Sequence, residues 1–198
     1  MLNIAFVVGM LVFAISSAYF YILRRGKEGL NSAFLVSFLT LVSYVLMWQG
    51  KLTVSTAAGE PIYWSRWLFY GASCTLLMLE ISQLKGVRGG KLVQLLYLTV
   101  IVMFTGFLAA RDVTGVRWAF FVIGALAYLV LIVKLLSVKT YKWVRRYIWF
   151  GWTLFPIVFL LGPTGWGWFG AGLTSFLYLL LDLYTKVLFS IKLARGSH

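Results

Sequence analysis

Apolar residues along this chain neither alternate in a strand-like way nor mark one narrow helical stripe. They run in long blocks separated by short polar links. A helix that crosses a bilayer needs about 20 mostly apolar residues. Seven blocks meet that need, at roughly 2–23, 31–49, 62–84, 91–110, 115–137, 141–161 and 168–194. The pattern predicts an all-α membrane protein, a seven-transmembrane-helix bundle forming one domain over 1–195. No internal repeat and no separate soluble domain are expected. The first block lacks a basic leading stretch and a cleavage site, so it reads as a mature helix rather than a signal peptide. The closing Gly196-Ser197-His198 reads as a tag remnant and is set aside.

Composition agrees with the blocks. Hydrophobic residues make up 62% of the 198 positions and charged ones 12%, against about 25% charged in soluble domains. The net charge of +13 comes from 18 basic and 5 acidic residues. A nucleic-acid binder would gather such cations on a soluble surface. Here they fall in the links, which excludes that class. Arg24, Arg25, Lys27, Lys85, Arg88, Lys91, Lys134, Lys139, Lys142, Arg145, Arg146, Lys192 and Arg195 belong to one side of the bundle. Lys51, Arg66, Arg111 and Arg117 belong to the other. The side richer in cations is cytoplasmic by the positive-inside rule. The N-terminus is then extracellular, the C-terminus cytoplasmic, and the protein a multi-pass component of the cell membrane. The single Cys74 excludes an internal disulfide, and with His198 in the tail no metal site is expected.

Of the five acids, Glu28, Glu60 and Asp112 lie in links or at block edges. Glu80, Asp182 and Lys186 lie inside apolar blocks, where an ionisable group is costly and marks a functional site by default. Asp182 and Lys186 are four residues apart, on one helical face. Two readings follow. The pair can lock two helices together, or Lys186 can form a Schiff base with an aldehyde, with Asp182 as its counterion.

The segment Leu181-Asp182-Leu183-Tyr184-Thr185-Lys186-Val187 resembles the seventh-helix signature of microbial (type 1) rhodopsins. Pro61-Ile62-Tyr63-Trp64-Ser65-Arg66 resembles the start of their third helix. Trp152, Phe155 and Pro156 fit their sixth-helix pattern, which packs the retinal ring. Reading the third helix without gaps from Arg66 puts Phe69 at the outward pump's proton-acceptor position, Ser73 at the next motif position and Glu80 at the cytoplasmic carboxylate position. A competing alignment puts Arg66 at the acceptor position and loses the match at Glu80. The triplet Phe69, Ser73, Glu80, with Cys74 beside it, is similar to the schizorhodopsin signature.

That resemblance implies all-trans retinal bound covalently to Lys186, light-driven inward proton transport, a homotrimer and no enzymatic activity. It assigns Asp182 as counterion and Glu80 to cytoplasmic proton release. Tyr70, Trp152, Phe155, Pro156 and Tyr178 are expected around the retinal; Arg66 either stabilises Asp182 or snorkels outward. Tyr44 and Tyr178 are candidates to hydrogen-bond near Asp182. With an inward-running seventh helix, Asp182 lies about 6 Å to the extracellular side of Lys186, and Glu80 lies about 21 Å deeper than Arg66, at 1.5 Å per residue. The link 162–169 carries no acid, so extracellular release carboxylates are missing. A sensory rhodopsin and a seven-helix protein without retinal are the alternatives. An anion pump would be expected to carry Thr or Ser at position 69.

Overall fold

A computed structural model describes residues 2–24, 31–137 and 142–194. Arg25, Lys27, Glu28, Lys139, Arg195 and the closing tripeptide lie outside these described residues.

Among the described residues seven helices follow one another. They are α1 (Leu2–Leu23), α2 (Asn31–Trp48), α3 (Ser65–Leu84), α4 (Gly89–Arg111), α5 (Arg117–Ser137), α6 (Lys142–Leu161) and α7 (171–194). Helices are what an apolar solvent demands, because each segment then satisfies its own backbone. Neighbours in sequence pack side by side from α1 to α5, α6 packs on α7, and α7 closes against α1. Between α5 and α6 the hydroxyls of Tyr128 and Thr153 share a 2.8 Å hydrogen bond. Ile4, Leu11, Ile15, Tyr97 and Val133 face outward as exposed large apolar side chains, as lipid contact requires.

Five of the helices, α1, α2, α4, α5 and α6, are long and apolar enough to cross a membrane. The other two carry the polar load: Arg66 and Glu80 on α3, Asp182 and Lys186 on α7. All four of those side chains are buried. The least lipid-like helices therefore turn their polar faces into the bundle.

Two features were not expected. A short antiparallel hairpin, β1 (Thr53–Ser55) and β2 (Pro61–Tyr63), precedes α3 and pairs Val54 with Ile62. It delays the helix start to Ser65 from the expected 62. Gly59 sits in the turn at φ +79°, which a side chain would resist. The hairpin is tied to α7 through Glu60, whose Oε2 accepts from the Ala171 N–H at 2.9 Å. Secondly, α6 and α7 each widen into a π turn, at Tyr147–Trp152 and Leu183–Leu188. Residues 162–170 form turns, so α7 starts at Ala171 rather than 168.

Candidate functional site

The centre of the bundle is an ion pair within α7. Lys186 Nζ lies 2.8 Å from Asp182 Oδ1, and both side chains are almost fully buried. Their spacing of four residues is what puts them together. The other carboxylate oxygen, Oδ2, accepts from two tyrosine hydroxyls. Tyr44 of α2 and Tyr70 of α3 each donate at 2.9 Å. Arg66 Nη1 stands 3.7 Å from the same oxygen and 3.4 Å from the Tyr70 hydroxyl. Asp182 thus meets two cations and two hydroxyl donors, drawn from three helices.

Tyr44 reaches this position because α1 yields space for it. Gly9 faces its ring so closely that a Cβ there would overlap ring carbons. Phe13 stacks on the same ring at 5.6 Å. Tyr178, by contrast, makes no hydrogen bond to Asp182. Its ring lies 4.6 Å under the Arg66 guanidinium and stacks on Phe155, and its hydroxyl has no partner among the described residues. Of the two tyrosines considered for Asp182, Tyr44 binds and Tyr178 does not. Tyr70, expected only as a packing aromatic, also binds the carboxylate.

On one flank of the pair is an apolar cavity. Trp67, Tyr70 and Cys74 line it from α3, Met103 and Gly106 from α4, and Phe121 and Tyr128 from α5. Trp152, Phe155 and Pro156 of α6 line it as well. The lysine approaches this space through Tyr70, since Nζ lies 3.8 Å from the centroid of that ring. The cavity lining therefore gathers four of the residues expected to pack a chromophore, Tyr70, Trp152, Phe155 and Pro156, while Tyr178, also expected there, is not part of it. The contributions of α4 and α5 were not foreseen: no charge or motif separates Met103 or Phe121 from ordinary apolar filling.

Phe69 is half-buried on α3, between Arg66 and Ser73. Ser73 is fully buried. Glu80, 3% exposed, lies further along α3. Its Oε1 accepts from the Ser32 hydroxyl of α2, and Oε2 has no hydrogen-bond partner among the described residues. Its neighbours on α3, Leu77 and Ile81, belong to an apolar cluster with Leu131 and Leu135 of α5. No group of three or more possible metal ligands occurs among the described residues.

A buried amine, a buried carboxylate beside it and an aromatic cavity within reach suit a protein that holds a long apolar aldehyde. The family comparison agrees. The chain matches the family described as bacteriorhodopsin-like protein across residues 1–198 and belongs to it. It is a microbial rhodopsin, a multi-pass seven-helix membrane protein of a family that carries retinal on a lysine. The schizorhodopsin likeness also holds. The crystal structure of schizorhodopsin 4 superposes with a TM-score of 0.92 at 34% identity, covering 98% of this chain and 100% of that one. Cruxrhodopsin-3 of Haloarcula vallismortis is 29% identical over 198 residues, 87% of this chain and 78% of that protein. The thermophilic rhodopsin from Rubrobacter xylanophilus shares the fold, with a TM-score of 0.88 at 22% identity over 98% of this chain and 95% of that one.

Proposed function

We propose that the chain is a light-driven inward proton pump, with all-trans retinal on Nζ of Lys186 and protons moving from the outside to the cytoplasm. Bound there, retinal supplies the light-driven isomerisation that reorients the N–H at Nζ. Trp152, Phe155, Pro156 and Tyr70 would hold it, and Asp182 would balance the positive charge on Nζ.

The carrying observation is the crowding of Asp182 Oδ2. A proton passed from Nζ to that carboxylate leaves the lysine nitrogen neutral, displaces contacts from two hydroxyls, and strands the buried Arg66 charge without its anion. Burying a charge without its partner costs several kcal/mol. Phe69 offers no second acceptor on α3. The proton on Nζ thus has no good recipient toward Arg66. On the other side, Glu80 is buried with one carboxylate oxygen open to a proton or a water. It can take the proton or guide it out. The links rich in Lys and Arg follow α1, α3 and α5, at the Glu80 end of the bundle, which supports assigning that end to the cytoplasm. Homotrimeric assembly in the lipid bilayer, implied by the schizorhodopsin likeness, completes the reading.

The test is a signed measurement. Illuminated, unbuffered cells expressing the protein should turn the medium alkaline, and a protonophore should abolish the change. Acidification contradicts the direction; pigment without any charge movement favours a sensor. Glu80→Gln should suppress transport at least tenfold while the pigment forms. Lys186→Ala should be colourless with added retinal, and a retained visible band would refute the linkage.

A further inference from the structure

The two π turns are joined to each other. Tyr147 opens the π turn of α6, and its hydroxyl donates to the backbone carbonyl of Thr185 at 2.6 Å. Thr185 lies in the π turn of α7, immediately before Lys186. The same hydroxyl accepts from Trp152 Nε1 at 3.3 Å. A π turn closes five residues apart, and Tyr147 and Trp152 are five apart, so the widened turn is what sets the indole above the phenol. Tyr147 is 3% exposed, and its ring stacks on Phe189 of α7 at 4.3 Å.

The path of contacts is continuous. Trp152 forms part of the cavity wall. It touches Tyr147, which holds the carbonyl next to Lys186. On its other side Tyr147 packs in one apolar cluster with Leu77, Met78 and Ile81, the neighbours of Glu80 on α3. The phenol therefore occupies the interval between the ion pair and Glu80. Nothing in the pump scheme above uses it.

We infer that Tyr147 is a positioning residue, a latch between α6 and α7 that keeps the route from Lys186 to Glu80 closed in the dark and is released when Trp152 is pushed. This rests on the proposed retinal on Lys186. A shape change in the cavity moves the indole, and the indole shares the phenol oxygen with the Thr185 carbonyl. Losing that bond frees one backbone acceptor beside the lysine and opens a polar step toward Glu80. A buried carbonyl left without its donor is costly and will recruit water.

Tyr147→Phe keeps the ring and removes only the hydroxyl. Its pigment should form with a dark absorption maximum within about 10 nm of the wild type. The light-induced proton signal on the Glu80 side should appear about tenfold faster. Equal kinetics within twofold would overturn the latch. A second measurement needs no variant to fold. Wild-type protein carrying carbonyl-13C threonine should show one labelled amide I band that moves to higher frequency on illumination, as a carbonyl released from a donor does. In Tyr147→Phe that band should already be shifted in the dark. No light-induced shift in the wild type overturns the proposal even if the variant cannot be made. A wild type that stays colourless with retinal refutes the chromophore reading instead, and the latch with it.

Discussion

At the scale of single residues, the site depends on a glycine that touches none of the chemistry. Gly9 gives α1 the close approach that holds the Tyr44 ring, and Tyr44 holds Asp182. Gly9→Ala should push the ring off its place. Overpacking of this kind costs about 1–3 kcal/mol, to be read as a lower unfolding midpoint in detergent. Tyr44→Phe should cost about 1.5–3 kcal/mol, the range for a hydrogen bond to a charged group. The two substitutions share one contact, so the double variant should cost less than the sum of the singles. Full additivity would mean that Gly9 does not act through Tyr44. This scale also marks what the sequence could reveal. Lys186, Asp182 and Glu80 were legible because charge is rare in apolar blocks. The role of Gly9 was not, since a glycine in a helix carries no signal until the ring across from it is known. Tyr44 and Tyr178 were the candidates for the carboxylate and Tyr70 only a packing ring; the rotation of their helices sends the hydroxyls of Tyr44 and Tyr70 to Asp182 and puts the Tyr178 ring under Arg66.

At the scale of elements, the seven helices were readable from block length alone, and their ends differ from the expected ones where local polar structure intervenes. The β1–β2 hairpin trims the start of α3, and the turns at 162–170 trim α7. Hairpin strands of three residues leave no hydrophobic period to detect. The π turns were illegible for another reason: no residue type within them marks a turn that closes five residues apart rather than four. The hairpin has an energetic task in Glu60, whose carboxylate takes the first N–H of α7, favourably placed against the helix dipole. Glu60→Ala should destabilise by about 0.5–2 kcal/mol, as loss of a cap does. Hydrogen exchange at the start of α7 should accelerate with it, while unchanged protection would deny the tie.

At the scale of the whole molecule, the end of the bundle richest in cations has a pH response. Burial, with the Arg145 charge beside it, pushes the Lys85 ammonium down to about 8. Its Nζ donates to the Leu135 carbonyl at 2.6 Å, joining α3 to α5. An unfolded lysine holds its proton to about 10.4. Between those values the unfolded chain binds the proton better, so raising the pH through about 8 to 10.4 should favour the folded state through this group. Below about pH 8 both states are protonated and the effect is flat. The unfolding midpoint of Lys85→Met, compared with wild type across that window, should lack this increment. A difference between the two that stays constant with pH would remove Lys85 as its source.

The uneven share of polarity among the helices also bears on how the protein is made. Arg66 and Glu80 enter the membrane on α3, yet Asp182, the anion that answers Arg66, arrives only on the last helix. During synthesis α3 must therefore be sheltered, by the insertion machinery or by α2 and α4, until α7 is delivered. A nascent chain halted before Ala171 should leave α3 only loosely integrated and open to alkaline extraction or to proteases, whereas release of the full chain should lock it in place.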